Sequence, residues 1–114
     1  MIVYSLPYPP SLNSYYRTVH GQPIISKTGR DYRKKIISLI GNSGKSLPGR
    51  LKVEIHAWMP DKRKRDLDNV FKALNDALTH ANVWVDDSQI DDLRIIRFFD
   101  GGLGHVEVFI SEID

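Results

Sequence analysis

The chain has 114 residues, of which 41% are hydrophobic and 26% are charged. This composition is typical of a soluble globular protein, and the length predicts a single domain that spans residues 1–114. No stretch approaches the roughly 18 apolar residues of a membrane span, and the first ten residues lack the basic start of a signal peptide. We therefore expect a cytoplasmic protein that does not enter a membrane.

The chain contains no cysteine, which excludes disulfides and thiolate metal sites. Its four histidines are scattered along the sequence, and no two of them have the spacing that a structural zinc site requires. The metal-binding side chains that occur in clusters along the sequence are therefore carboxylates.

Charge is divided unevenly along the chain. Residues 1–65 contain thirteen Lys and Arg against three Asp and Glu, whereas residues 66–114 contain three against eleven. Such a division within one small domain indicates a basic surface for a polyanion beside an acidic pocket that needs a cation. The alternative is that the two halves neutralise each other through surface ion pairs.

The first half of the chain predicts two strands and a helix. Residues 2–6 form a short strand that the following prolines end. Residues 28–40 have helical periodicity, with an apolar face formed by Tyr32, Ile36, Leu39 and Ile40. The helix is expected to end in a segment that contains Gly41, Asn42 and Gly44. Residues 51–59 alternate between apolar and polar, which predicts a half-buried strand at the centre of the sheet.

The second half predicts a helix and two strands. The helix has its N-cap at Asp68 and Asn69, and its apolar stripe contains Leu67, Val70, Phe71, Leu74, Ala77 and Leu78. The opposite face carries residues that are free to contact a ligand, namely Asp68, Lys72, Asn75, Asp76 and Thr79. Strands at 93–99 and 105–110 are joined by a hairpin turn at 100–104. The order β-α-β-α-β-β predicts an α+β domain, with two helices packed on one face of a mixed or antiparallel sheet.

Two segments are candidates for DNA contact. In the turn-rich connection at residues 9–17, Tyr15 and Tyr16 are suited to stack on nucleobases while Arg17 meets phosphate. The alternative is that one tyrosine packs in the core and the other covers it. The second segment is an exposed basic run that is expected to hold the phosphate backbone, formed by Lys62, Arg63, Lys64 and Arg65.

Carboxylates follow the basic run directly. Asp66 and Asp68 lie between a strand and a helix, where an extended chain would project both to the same side to share a cation. Oxygen ligands at this spacing suit Mg²⁺ or Mn²⁺, and Asp86 or Asp87 is the natural source of a third ligand. Lys72 lies one turn after Asp68, where it can neutralise charge on a phosphate. The combination predicts a metal-dependent nuclease.

Other interpretations of these residues remain open at this point. Asp68 can serve as a helix cap alone, because Asp pairs are common as caps and in solvated turns. The chain as a whole can be a non-catalytic nucleic-acid-binding module with a basic face, or a phosphohydrolase that acts on small phosphate esters. The further pair Asp91 and Asp92 begins a strand and is not assigned to the site.

Several motifs resemble the RusA-type Holliday junction resolvases, and they cover nearly the whole chain in order and spacing. They are residues 9–17, Arg63-Lys-Arg-Asp-Leu-Asp-Asn69, Lys72, Asp76-Ala-Leu78 and Trp84-Val-Asp-Asp-Ser-Gln89. The resemblance implies a Mg²⁺-dependent endonuclease of bacteria and their phages, associated with the nucleoid. It implies a symmetric homodimer that resolves four-way DNA junctions by paired nicks during recombination and repair. It also implies that the acidic catalytic and metal-binding positions are Asp66, Asp68 and Asp87, with Lys72 as the active-site lysine.

Overall fold

The computed structural model describes residues 1–41 and 44–113. Within these ranges the chain forms six strands and three α-helices. In order they are β1 (Ile2–Pro7), α1 (Leu12–Tyr15), β2 (Tyr16–Val19), β3 (Gln22–Ile25), α2 (Lys27–Ile40), β4 (Arg50–Trp58), α3 (Leu67–His80), a 3-10 turn (Asp87–Gln89), β5 (Ile90–Phe98) and β6 (His105–Ile113). None of the helices in the described ranges has the length and apolar character needed to cross a membrane.

The main sheet has the strand order β1-β6-β4-β5. β6 is antiparallel to both of its neighbours, whereas β4 and β5 are parallel and are connected through α3. The predicted mixed sheet and α+β class are therefore confirmed, and β4 is an inner strand as predicted.

The predicted hairpin between the last two strands is wrong, because β4 lies between β5 and β6. A parallel crossover through α3 places β5 at one side of β4, so the chain must pass the end of β4 to reach its other side. The connecting loop does this at Gly104, where a Cβ atom would lie 2.8 Å from the Pro60 side chain. Gly104 also has a φ of +87°, a backbone conformation that favours glycine. The glycines of this segment therefore belong to a loop that crosses the end of β4 and not to a tight hairpin.

The hydrophobic core lies between one face of this sheet and helices α2 and α3. The alternation of β4 buries its odd-numbered residues, and β6 adds Val106, Val108 and Ile110. α2 buries Gly29, Tyr32, Ile36 and Ile40, while α3 buries Val70, Ala73, Leu74, Ala77 and Leu78. Leu39 was expected in the α2 stripe but is 54% exposed, because the buried positions follow the 29-32-36-40 spacing and leave it on the outer face.

Residues 12–25 contain structure that the sequence pattern did not predict. A single-turn helix, α1, is followed by the two-stranded hairpin β2–β3, whose two-residue loop has both residues at positive φ, His20 at 51° and Gly21 at 76°. The hairpin base packs closely on α2, since a Cβ atom at Gly29 would lie 2.4 Å from the Tyr15 carbonyl oxygen. Gly29 is therefore required at the contact that fixes the hairpin to the domain.

The ends of α2 and α3 differ slightly from those predicted. Ser26 caps α2 by accepting a hydrogen bond from the Gly29 backbone N–H at 3.0 Å, and the helix ends at Ile40 before Gly41, which has a φ of 56°. The predicted contribution of Asn42 to this end lies outside the described residues. In α3 the N-cap is Asp66 and not Asp68, because the helix begins at Leu67.

Candidate active site

The N-terminus of α3 presents two exposed carboxylates. Asp66 is the N-cap residue and has an extended backbone, with φ −92° and ψ 132°, whereas Asp68 belongs to the first turn of the helix. Neither side chain forms a hydrogen bond or ion pair with another described residue. The prediction that both lie in an extended segment is thus right for Asp66 and wrong for Asp68. Both remain at the N-terminus of α3, next to the positive end of the helix dipole.

The basic run before these carboxylates is held in a fixed turn by Asp61. The Asp61 carboxylate accepts hydrogen bonds from the Arg65 guanidinium, at 2.8 Å and 3.3 Å, and from the backbone and side chain of Arg63. The hydrogen bond from Arg65, followed by those from Arg63, lowers the pKa of Asp61 well below its usual range. The Arg65 guanidinium also lies 5.6 Å from the Tyr8 ring centre. Arg65 is therefore anchored on the protein.

Arg97 on β5 fixes the junction between this turn and α3. Its guanidinium donates a hydrogen bond to the backbone carbonyl of Arg65, immediately before Asp66. The exposed cations of the run are Lys62, Arg63 and Lys64, and the Lys62 ammonium lies 5.9 Å from the Phe99 ring centre. The turn thus presents positive charge to solvent directly beside Asp66 and Asp68.

Two clefts flank α1. The first, of about 200 Å³, lies between residues 8–13 and residues 64–70, and Asp66 lines it. The second, of about 390 Å³, is lined by Tyr16, Lys72, Asn75 and Asp87, among others. Leu12 lines both clefts, so they are neighbours across α1. The structure therefore brings Lys72 and Asp87 to one cleft and Asp66 to the adjacent one, whereas Asp68 lines neither of the two.

The loop after Trp84 gives Asp86 and Asp87 different roles. Asp86 is the N-cap of the 3-10 turn and accepts a hydrogen bond from the Ser88 backbone N–H at 2.9 Å. Hydrogen bonding from the side chain of Ser88, followed by that from its backbone, lowers the pKa of Asp86. Asp87 is exposed, and its Oδ2 accepts a hydrogen bond from the Asn75 side chain at 3.1 Å. Both carboxylates line the second cleft, Asp86 as the cap of its own turn and Asp87 as the acceptor of the hydrogen bond from Asn75.

Gln89 fixes this loop and was not predicted as a site residue. Its side-chain oxygen accepts from the backbone N–H groups of Val85 and Asp86, at 2.9 Å and 2.8 Å. Its amide nitrogen donates to the carbonyls of Leu47 and Gly49, at 2.6 Å and 2.8 Å. All four hydrogen-bonding positions of the amide are therefore used in a residue that is only 8% exposed. The signal available in the sequence was its place at the end of the motif that begins at Trp84.

We expect Gln89→Glu to lower the free energy of unfolding by about 2–4 kcal/mol. A carboxylate cannot donate to the two carbonyls and would leave a charge buried beside them, the type of change with a large cost. Urea unfolding of Gln89→Glu beside Glu112→Gln, an exposed exchange between the same two residue types, measures this effect. Equal stability of the two variants would contradict the proposed anchoring of the loop.

Tyr15 is fully buried, which contradicts its predicted role in stacking on nucleobases. Its ring packs against those of Tyr16 and Tyr32, with centroids 4.9 Å and 6.3 Å away, and its hydroxyl donates to Asp76. Burial, followed by the contact with Asp76, raises its pKa. The alternative considered from the sequence, that one tyrosine packs in the core, is correct for Tyr15. Tyr16 is partly exposed and lines the second cleft.

Asp76 is not free for a ligand, although it lies on the predicted polar face of α3. Arg33 donates to both of its carboxylate oxygens, at 2.7 Å and 2.9 Å, and Tyr15 donates to one of them. Burial alone would raise the pKa of Asp76, but the hydrogen bonds from Arg33 and Tyr15 lower it overall. Asp76 therefore ties α1, α2 and α3 together, and its role is structural.

Arg17 and Asp91 are the remaining residues on which the sequence made a prediction or left a question. Arg17 is exposed on β2, where its predicted contact with phosphate stays a prediction. Asp91 forms an ion pair with Arg50 across the sheet edge, with Arg50 Nε at 3.0 Å from one carboxylate oxygen. Asp91 thus has a partner on the protein surface.

The side chains that the sequence assigns to a metal have the chemistry that a hard divalent cation requires. Asp66, Asp68 and Asp87 all carry exposed carboxylates, and oxygen ligands are those that Mg²⁺ and Mn²⁺ prefer. Across residues 1–41 and 44–113, no group of three or more His, Asp and Glu side chains is spaced to hold a metal ion. The structure thus does not bring the three carboxylates into one preformed cluster, and their role as ligands stays a prediction.

A basic turn beside exposed carboxylates on an α+β domain is an arrangement suited to metal-assisted cleavage of nucleic acid. The family model described as "Endodeoxyribonuclease RusA" matches residues 7–111. The chain is 42% identical over 113 residues to the crossover junction endodeoxyribonuclease RusA of Shigella sonnei (strain Ss046), which covers 96% of this chain and 92% of that protein. With the same coverage it is 41% identical to the Escherichia coli (strain K12) protein and 42% identical to that of Enterobacteria phage 82.

By these matches the protein is an endodeoxyribonuclease, so the predicted enzyme class is confirmed. More specifically, the chain belongs to the RusA family, which confirms the resemblance seen in its motifs. Membership of this family implies dependence on a divalent metal ion.

Proposed function

We propose that this protein resolves four-way DNA junctions by paired symmetric nicks, as a Mg²⁺-dependent homodimer acting in recombination and repair. The observation that carries the proposal is the pair of carboxylates Asp66 and Asp68, which have no partner among the described residues. They lie at the end of a basic turn that Asp61 and Arg97 hold in place. The names of its relatives, crossover junction endodeoxyribonucleases, support the junction as substrate. Their origin in enterobacteria and phages supports action on DNA in the bacterial cytoplasm and nucleoid.

In this proposal Asp66, Asp68 and Asp87 hold the Mg²⁺, for which Mn²⁺ can substitute. The ion, when bound, polarises the scissile phosphodiester and lowers the pKa of a water molecule. The protein's own contribution is to leave the three carboxylates exposed, and none of them forms an ion pair with another described residue. Asp76 is not assigned to this role, because Arg33 donates to both of its carboxylate oxygens, and Asp86 caps its own 3-10 turn.

DNA binding is assigned to the basic turn and to the β2 strand. The cations of residues 62–65 bind the phosphate backbone on the side of the first cleft, with Arg65 anchored by Asp61 and the others exposed. Arg17 contacts phosphate from β2, and the partly exposed Tyr16 stacks on a base beside the second cleft. Because these contacts release counterions, junction affinity should fall steeply as salt rises.

Lys72→Ala is expected to slow cleavage by about 10²-fold with little change in junction binding. The Lys72 side chain is exposed and lines the same cleft as Asp87, so its ammonium can neutralise charge that develops on the phosphate. The stability of the protein should change by less than about 0.5 kcal/mol, because the residue is on the surface. Single-turnover cleavage measures the effect, and Lys35→Ala, an exposed helical lysine on α2, is the matched control. Equal rates for the two variants would remove Lys72 from the site.

A homodimer matches the symmetry of the proposed substrate. A four-way junction has near two-fold symmetry, and a C2 dimer provides two identical sites at a fixed separation. The experiment maps the nicks on each strand of a labelled junction. The mass of the protein–junction complex is determined by analytical ultracentrifugation. We expect two nicks at symmetry-related positions and two chains for each junction. A monomer that leaves single, unrelated nicks would contradict the proposal.

A further inference from the structure

We propose that Asn75 is a positioning residue that orients the Asp87 carboxylate, and that Trp84 and Thr79 in turn set the orientation of Asn75. The inference rests on the proposed function, because it assumes that Asp87 acts in cleavage. It is carried by an uninterrupted series of side-chain hydrogen bonds that runs from the buried core to the second cleft.

The donors and acceptors of this series are compatible with one direction, from Trp84 to Asp87. The indole N–H of Trp84 can only donate, and it does so to Thr79 Oγ1 at 2.9 Å. The Thr79 hydroxyl hydrogen is then free to be donated to Asn75 Oδ1, 3.3 Å away. The oxygen of the Asn75 amide thus faces Thr79, and the amide nitrogen faces Asp87 and donates to its Oδ2 at 3.1 Å. This orientation gives each end of the amide a suitable partner, a hydroxyl donor for the oxygen and a carboxylate acceptor for the nitrogen.

Burial decreases along the same series. Trp84 is only 1% exposed and belongs to the hydrophobic core, Thr79 and Asn75 are half-buried, and Asp87 is exposed. The rigid end of the series is thus in the core, and its other end is at a surface carboxylate whose rotation would otherwise be free. Among the described residues, the hydrogen bond from Asn75 is the contact that holds the Asp87 side chain.

An amide is suited to orient a carboxylate that must keep its charge. Arg or Lys at position 75 would neutralise Asp87, as Arg33 does for Asp76, and would compete with a cation for it. Asn75 occupies one oxygen through a neutral donor and leaves the other without a partner in the described part of the chain. Outer hydrogen bonds of this kind typically change metal affinity or activity by about 10-fold to 100-fold.

The test compares Asn75→Ala, Thr79→Val and Thr79→Ser. Binding of Mn²⁺ to the protein without DNA is measured from the electron paramagnetic resonance signal of the free ion, and junction binding is measured in EDTA. We expect Asn75→Ala to weaken Mn²⁺ binding by about 10-fold to 100-fold and junction binding not at all. Thr79→Val should weaken Mn²⁺ binding in the same direction, whereas Thr79→Ser, which keeps the hydroxyl, should restore it.

Asp87→Asn is measured in parallel, so that failure of the positioning role of Asn75 can be distinguished from failure of the proposed role of Asp87. If Asp87→Asn abolishes Mn²⁺ binding and cleavage but Asn75→Ala leaves both unchanged, the positioning role is wrong and the proposed function stands. If Asp87→Asn itself leaves Mn²⁺ binding and cleavage unchanged, the proposed role of Asp87 is wrong and the positioning role is wrong with it. A non-additive loss in the double variant Asn75→Ala, Thr79→Val supports action through a single series of contacts.

Discussion

Asp68→Asn is expected to reduce cleavage of a four-way junction by at least about 10³-fold, the scale of losing a group that acts directly in catalysis. The substitution preserves shape and removes one negative charge from the N-terminus of α3, where the carboxylate is exposed. Since that charge lies beside the proposed path of the phosphate backbone, junction affinity should stay the same or increase. The fold should tolerate the change, at a cost of about 0.3–1 kcal/mol from the lost interaction with the helix dipole.

The measurement pairs single-turnover cleavage in Mg²⁺ with junction binding in EDTA for the same preparation. Glu112→Gln removes a negative charge from an exposed position on β6 and serves as the control, with full cleavage expected. If Asp68→Asn lost junction binding and cleavage together, the result would indicate that the carboxylate maintains the DNA-binding surface and does not act in the reaction. If it lost neither, Asp68 would be a helix-terminus residue alone.

Asp76→Ala is expected to lower the free energy of unfolding by about 2–3 kcal/mol. Removing one member of a buried ion pair typically costs about 3–5 kcal/mol, because the partner charge is left unpaired. Solvent screening reduces this value here, since the side chains of Arg33 and Asp76 are 22% and 20% exposed. The substitution also removes the acceptor of the buried Tyr15 hydroxyl, so the variant loses contacts to two other helices at once.

Urea unfolding of a double-mutant cycle tests this tie between the helices. Arg33→Met and Asp76→Ala should together cost clearly less than the sum of the two single changes, because each one alone leaves the other residue unpaired. Tyr15→Phe should cost about 1 kcal/mol, the usual contribution of one hydrogen bond. Additive effects of Arg33→Met and Asp76→Ala would show that the ion pair contributes little to stability.

The same ion pair makes stability depend on pH in the acid range. The pKa of Asp76 in the folded protein is below its ordinary value of 3.8, so the folded state binds its proton less readily than the unfolded state. Its contribution to stability is complete at pH values above 3.8 and is lost as pH falls through the folded pKa. Asp76→Ala should therefore lose less stability than the wild type when the pH is lowered from 5 to 3. An equal loss would contradict the assignment.

Much of the fold follows from local patterns in the sequence. The alternation of residues 51–59 predicts an inner strand because side chains in a strand point to opposite faces, and β4 has this burial pattern. The glycines at residues 101–104 favour a tight turn equally well in a hairpin and in a loop that crosses a strand end. The choice between them depends on which strand occupies each side of β4, and this information is not local. The hairpin β2–β3 was missed because its strands have only four residues each.

The candidate site was predictable where its residues are neighbours in sequence. Asp66 and Asp68 lie beside the basic run by chain connectivity, so their exposure next to positive charge needs no tertiary information. The partners of Asp76 are 43 and 61 residues away, and polarity on a helix face cannot distinguish a residue that binds ligand from one that binds another helix. The same holds for Gln89, whose anchoring contacts reach carbonyls 40 and 42 residues earlier.

The measurement that tests the central claim most directly is cleavage by the wild-type protein of a labelled synthetic four-way junction. Linear duplex of the same sequence is incubated in parallel, each with Mg²⁺ or with EDTA. We expect paired nicks in the junction with Mg²⁺, no cleavage in EDTA and no cleavage of the duplex. Tight binding of the junction without cleavage in Mg²⁺ or Mn²⁺ would contradict the account and indicate a non-catalytic DNA-binding module with a basic face.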